Sequence, residues 1–172
     1  MDIRDAAPGD LSAIAAIYAH HVLHGTGTFE EVPPDEAEIA RRIAAVQGKG
    51  WPWLVAEENG QILGFAYLAQ FRPRSAYRHA GEDSVYVRDD IRGQGVGKAL
   101  VAALLERATE AGFRQMFALI GDSDNVGSIG LHVSLGFRQA GVMKSAGLKF
   151  GRWVDLVFMQ RGIGLADRDL PG

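Results

Sequence analysis

The chain has 172 residues, enough for one domain with its own core, and 47% apolar against 23% charged residues is the profile of an ordinary globular protein. A net charge of -3 supplies no general basic field for nucleic acid and no polybasic membrane signal. The chain has no cysteine, which excludes a disulfide framework, a thiolate zinc site and a cysteine nucleophile together.

The start, MDIRDAAPGD, is charged and lacks an apolar signal region, and no apolar run approaches membrane-spanning length. The expectation is a cytoplasmic protein with no membrane partner. DIRDAA reads as a short first strand, Pro8-Gly9 as a turn, and Asp10 as the N-cap of a helix carrying Leu11, Ile14, Ile17, Tyr18 and Val22 at helical spacing. HGTGTFEEVPP breaks that helix. Asp35 caps a second one, with Ile39, Ile43 and Val46 on one face. WPWLVAEENGQILGFAYLAQF predicts a hairpin turning at Asn59-Gly60, the strongest two-residue hairpin signal.

RPRSAYRHAGE is polar and irregular, and DSVYV is strand-like. A third helix starts near Gly97, carries Leu100, Val101, Leu104, Leu105 and Ala108 inward, and ends at Gly112. FRQMFALI is the next strand, Asn125 or Ser128 opens a fourth helix that Gly136 stops, and GRWVDLVFMQ is a final strand. One more strand is expected near Ala140. The order β-α-α-β-β-β-α-β-α-β predicts a mixed α/β domain with a sheet flanked by helices.

The loop RDDIRGQGVGK, between strand and third helix, holds Gly93, Gly95 and Gly97 between Arg92 and Lys98. A P-loop needs a glycine where Arg92 stands and a Ser or Thr where Ala99 stands. The dinucleotide fingerprint fails in both registers, with Lys98 or Leu100 at its third glycine. What remains is an anion site. A helix N-terminus offers free N–H groups, glycines remove the side chains that would hold a phosphate off, and two cations add charge. The alternative is a tight βα connection in which glycine only supplies positive φ.

RGQGVG, with Arg92, Gly95 and Gly97 on the pattern positions, resembles the R/Q-x-x-G-x-G/A signature of the GNAT acyltransferase superfamily. NVGSIGLHVSLGF is similar to that family's later helix. FRPRSAYRHAGEDSVYVRDD, SIGLHVSLGF and KFGRWVDLVFMQ are similar to its phosphinothricin and methionine-sulfoximine N-acetyltransferase branch. The resemblance implies one domain over 1–162 with a flexible tail at 163–172, built on a mostly antiparallel sheet flanked by helices. A splayed strand pair would hold acetyl-CoA, and no metal is used. It implies that Val85, Tyr86 and Val87 offer backbone groups to the pantetheine arm. Arg92, Gly93, Gln94, Gly95, Val96, Gly97 and Lys98 would wrap the pyrophosphate, and Asn125 and Ser128 would lie near the thioester. Capping is the other reading for the last two.

Acetyl transfer needs a neutral amine, a general base and a donor for the acyl oxygen. By resemblance Glu82 is the base, and His132 stands where the family places its general acid. The segment around Arg72, Pro73, Arg74, Glu82, Asp83 and Ser84, with Phe29 as an aromatic wall, is expected to hold the substrate. Arginines there suit an amine that carries a carboxylate. His20, His21 and His24 read as the polar end of the first helix rather than a metal site. The expected partners are a small-molecule amine and a second copy of the chain. Rival readings are an enzyme acetylating a protein N-terminus or a polyamine, and a non-catalytic coenzyme A-binding module.

Overall fold

A computed structural model describes residues 1–171; Gly172, the last residue of the expected tail, lies outside the described residues. Its seven strands are β1 (Asp2–Asp5), β2 (Trp53–Glu58), β3 (Gln61–Gln70), β4 (Ala80–Val87), β5 (Gln115–Gly121), β6 (Arg138–Lys149) and β7 (Arg152–Gly162). The helices are α1 (Leu11–His24), α2 (Glu36–Gln47), α3 (Val96–Glu110) and α4 (Val126–Ser134). The strands form one sheet in the order β1-β2-β3-β4-β5-β7-β6. Every neighbour pair is antiparallel except β4–β5. The mixed fold expected from the element order is therefore present, and the extra strand near Ala140 is β6.

The sheet is covered on both faces. On one face α1 and α2 bury Ile14, Ile17, Tyr18, Val22 and Ile39 against Trp53, Val55 and Phe65. On the other, α3 presents Leu100, Leu104 and Ala108, all at 0% exposure, to Leu54, Leu68 and Met116. Each such leucine contributes about 1.5–3 kcal/mol by leaving water. The hairpin between β2 and β3 turns at Asn59 (φ 52°) and Gly60 (φ 77°), the double left-handed turn that its sequence demands. Asp35 caps α2 by accepting from the Glu38 amide at 2.8 Å. Asp10 does not cap α1 as expected. Its residue is already helical in φ and ψ, and its carboxylate accepts from the Ala7 amide and binds Arg4 through two bonds of 2.7 and 2.8 Å. The chain also packs beyond Gly162. Ile163 is buried, and Arg114 pairs with Asp169 at 2.8 Å, so the start of the expected flexible tail is tied to the domain.

The β4–β5 pairing fixes the architecture of the site. These parallel strands pair only over Ala80–Asp83 and Gln115–Ala118. Both strands run on, to Val87 and Gly121, without further pairing between them. A wedge therefore opens at Ser84 and Leu119, leaving backbone groups on its inner edges free of ladder partners. The long connection from α1 to α2 crosses the β5 side of this wedge so closely that an added Cβ on Gly121 would overlap the Thr26 carbonyl oxygen. Gly121→Ala should lower stability by about 1–3 kcal/mol through overpacking against backbone that cannot yield. Gly127→Ala, in open space on α4, should raise it by about 0.4–1 kcal/mol. Thermal denaturation of the two variants beside the parent reads both signs.

Candidate active site

Strand alternation decides what each residue of β4 can do. Glu82, Ser84 and Tyr86 face the α1–α2 side, and Gly81, Asp83, Val85 and Val87 face α3 and α4. Glu82 lies opposite Ala69 of β3 and Phe117 of β5, at the closed end of the wedge. Burial raises its carboxyl above the usual value. Arg72 pulls it down with a guanidinium nitrogen 3.7 Å from the carboxylate, and Asp83 pushes it up. Arg72 is exposed and lies over the Phe71 ring at 4.2 Å. Phe71 in turn stacks on Phe117 at 4.5 Å.

Of the arginine-rich segment, only Arg72 comes within ion-pair distance of Glu82. Pro73 and Arg74 are exposed on the same loop, which Gln70 holds through the carbonyls of Arg72 and Arg74 at 2.6 and 3.1 Å. Arg78 folds back on the Ser75 carbonyl, and His79 bonds the Gly112 carbonyl. Arg78 is thus turned to its own loop and His79 to the residues after α3, neither to Glu82. Phe29 is 39% exposed, with its ring edge against Gly147 of β6 and Gly121 of β5.

Asp83 is not at the substrate surface where its neighbourhood suggested. The period of two turns it to the opposite face from Glu82, where its side chain is 2% exposed and lies 3.1 Å from His132 Nε2. His132 is equally buried, and its Nδ1 donates to the Ser128 carbonyl at 2.7 Å. Both ring nitrogens thus face acceptor oxygens, an arrangement that suits the protonated ring. Burial lowers the imidazole's affinity for a proton; the Asp83 bond and charge, with the Ser128 carbonyl, outweigh it and leave the pKa raised. The pair bolts α4 to β4 where the wedge begins.

The backbone cradle lies at the open end of the wedge. Gly93 (φ 80°) and Gly95 (φ 83°) are left-handed, and an added Cβ on either would meet no protein atom within 4 Å, so the space they leave is open. Gly95 is the N-cap of α3 and no side chain caps it, which leaves the amides of Val96, Gly97 and Lys98 without intrahelical partners. Arg92, Gln94 and Lys98 are exposed around them, Arg92 paired with Asp89 at 2.9 Å. Gly97 serves a different end from the other two. Its added Cβ would lie 2.8 Å from a Leu131 methyl, so this glycine lets α3 and α4 approach. Asn125 caps α4, accepting from the Ser128 amide at 3.2 Å, while its amide group reaches the Gly121 carbonyl at 3.4 Å. Of the three strand residues expected to offer backbone groups, Val87 has its carbonyl occupied already by His21 Nε2 at 2.8 Å. Burial lowers the His21 pKa, consistent with a neutral ring donating one N–H. Among the described residues no cluster of three or more His, Asp or Glu side chains could hold a metal.

The family model of the acetyltransferase (GNAT) domain matches residues 3–158. The chain belongs to the GNAT acetyltransferases. A phosphinothricin N-acetyltransferase of Alcaligenes faecalis is 53% identical over 169 residues, covering 98% of this chain and 86% of its own length. An L-methionine sulfoximine/L-methionine sulfone acetyltransferase of Pseudomonas aeruginosa is 46% identical, covering 92% of each chain. The crystal structure of a phosphinothricin acetyltransferase from Sinorhizobium meliloti in complex with AcCoA superposes with a TM-score of 0.96 at 46% identity, over 99% of this chain and 92% of that one. The structure thus has a wedge between β4 and β5, two open left-handed glycines and an uncapped α3 terminus at one end of the sheet.

Several contributors around this site carry no sequence signature. Lys149 is 3% exposed, with its Nζ donating at 2.8 Å to the carbonyls of both Gly25 and Thr28. The Tyr18 hydroxyl meets Thr28 Oγ1 at 3.0 Å and donates to Glu30, and burial pushes its pKa up to about 12. Only the inversion in Gly147-Leu148-Lys149-Phe150, where a lysine alternates inward between two outward apolar residues, could have marked Lys149.

The buried pair makes a pH prediction. The folded-state pKa of His132 is raised above its unfolded value. Its stabilising contribution is therefore complete below about 6.5 and fades as pH rises through the raised value. Urea denaturation at several pH values from 6 upward should show stability declining with pH in the parent. The decline should disappear in His132→Gln, which itself should cost about 3–5 kcal/mol because Asp83 is left buried without its cation.

Proposed function

We propose that this enzyme transfers the acetyl group of acetyl-CoA to the α-amine of a small amino-acid-like molecule of the phosphinothricin, methionine sulfoximine or methionine sulfone type. The observation that carries this reading is the adjacency of Glu82 and Arg72 at the closed end of the wedge. A base and a guanidinium side by side suit an acceptor that carries its amine and its carboxylate on one carbon. The activities of the relatives, 53% and 46% identical, support the same class of acceptor. A polyamine would meet Arg72 as a like charge.

Acetyl-CoA supplies the activated acetyl thioester. The chain contributes position, proton transfer and charge. Val85, whose backbone groups point into the wedge, presents them as a further strand would, whereas those of Tyr86 are turned to Phe65 of β3. The amides of Val96, Gly97 and Lys98, with Arg92 and Lys98, receive the pyrophosphate, and Asn125 and Ser128 border the thioester end. Glu82 accepts the amine proton, directly or through water. Its raised pKa brings it nearer the operating pH, which favours a general base. Arg72 binds the acceptor's carboxylate, with Pro73, Arg74 and Ser84 beside it and Phe29 as a wall. His132 acts in this reading by seating α4, since both its ring nitrogens are already donating to Ser128 and Asp83. The same reading has the enzyme work as a cytoplasmic homodimer in a detoxifying role, and light scattering tests the stoichiometry.

Thiol release over a panel of amino-acid analogues tests the substrate class; turnover of none of the three compounds, with acetyl-CoA binding intact, would remove it. Glu82→Gln should bind acetyl-CoA normally and lose about 10²–10⁴-fold in kcat near neutral pH. In the parent, kcat/KM should rise with pH through the raised Glu82 pKa, and this acid limb should vanish in the variant. An unchanged rate in Glu82→Gln would take Glu82 out of the mechanism.

A further inference from the structure

Lys149, at the end of β6, is a buried cation without a carboxylate at its ammonium. Its Nζ donates instead to two main-chain carbonyls of one loop, Gly25 and Thr28, at 2.8 Å each. Burying an ammonium is costly, and a leucine or methionine would fill the same space without that cost. Burial lowers its pKa, with Glu31 and Glu30 acting the other way. The loop it binds has no regular structure of its own, so its position depends on such ties.

The loop stands between the two halves of the site. On the cofactor side, Gly27 lies against the Asn125 amide: an added Cβ would be 3.9 Å from Asn125 Nδ2. On the acceptor side, the next residue after Thr28 is Phe29, whose ring rests on Gly147 and Gly121. Beneath the loop, the Thr26 carbonyl occupies the volume a side chain at Gly121 would need. Its other ties are the Gly25 amide to the His21 carbonyl at 3.0 Å, which closes the end of α1, the Glu30 amide to Thr28 Oγ1 at 3.2 Å, and several side-chain pairs. Thr26 donates to Asp122 at 3.3 Å, Tyr18 meets Thr28, and Arg42 holds Glu30 through bonds of 2.9 and 2.7 Å. Among the described residues, only Lys149 bonds loop carbonyls on both sides of Gly27.

We propose that Lys149 is a positioning residue for the acceptor: by clamping the Gly25 and Thr28 carbonyls it holds Phe29 against β5 and β6 and so sets the affinity for the amino-acid substrate. The effect on affinity rests on the acetyl-transfer reading; the clamp itself does not. Removing both bonds allows the loop to leave the sheet for part of the time, and only the docked fraction presents Phe29. If that fraction falls to about one-tenth, the apparent acceptor affinity falls about tenfold. Acetyl-CoA is held mainly by β4 and the α3 terminus, so its affinity stays.

The test compares Lys149→Met, which keeps the stem and removes the donors, with Lys149→Arg, which keeps charge and donors. Lys149→Met should raise the acceptor KM about tenfold with the acetyl-CoA KM within about twofold of the parent, and Lys149→Arg should recover most of the loss. Amide exchange of residues 25–29 should quicken in Lys149→Met and not in Lys149→Arg, a readout that needs no turnover. An unchanged acceptor KM, equal rises in both KM values, or parent-like exchange in 25–29 would each overturn the proposal. If Lys149→Met does not fold, Lys149→Gln, whose uncharged and shorter side chain cannot span both carbonyls, is judged by the same criteria. Failure of the parent to acetylate any amino-acid analogue would count against the acetyl-transfer reading alone, and the exchange measurement would still decide whether the clamp exists.

Discussion

The parting of β4 and β5 after Asp83 and Ala118 is the constraint on which the rest of the site depends. Parallel strands normally stay paired because every unpaired peptide group forfeits a ladder bond. Here two strands separate while each remains anchored on its outer side, β4 to β3 and β5 to β7. Those outer ladders fix the angle of the gap. Extended backbone with unused hydrogen-bonding groups is what a pantetheine chain requires, and the uncapped N-terminus of α3 stands at the open end with two left-handed glycines before it.

Opposite faces of one strand serve different purposes at that fork. Glu82 is turned to the acceptor side, half-buried among Ala69, Phe117 and Arg72. Asp83, the next residue, is turned to α4 and neutralised by His132. A shift of one residue in register would exchange them, burying Glu82 and exposing the partner of His132. The Asp83–His132 pair thus holds the helix that follows Asn125 and carries Ser128, and it ties that helix to the strand that carries Glu82. The acceptor side is held less directly. Its loop lies on glycines and is fastened by Lys149, Tyr18 and the Glu30–Arg42 pair.

Much of this was readable from residues in order. Asn59-Gly60, the periodic Leu100, Leu104 and Ala108, and Gly136 after α4 each enforce local geometry whatever surrounds them, and all stand where expected. The Gly93–Lys98 loop is legible for the same reason, since positive φ and a helix start are local properties. Asp10 differs from the expectation because its carboxylate is taken by Arg4, a guanidinium six residues away that also binds Glu57 of β2. Spacing does not reveal that the missing side chain at Gly97 also makes room for Leu131.

The sequence by itself determined the elements, their order and the cradle at α3, because turns, caps and periodicity act over a few residues. Tertiary structure alone decided which polar groups meet. His132 found Asp83 across 49 positions, Lys149 found the Gly25 and Thr28 carbonyls across more than a hundred, and His21 took the carbonyl of Val87, one of three residues whose backbone groups were expected to serve the cofactor. No local rule places a buried lysine between an outward leucine and an outward phenylalanine. Its position follows from carbonyls that a distant loop delivers, and a buried charge settles only where such partners exist.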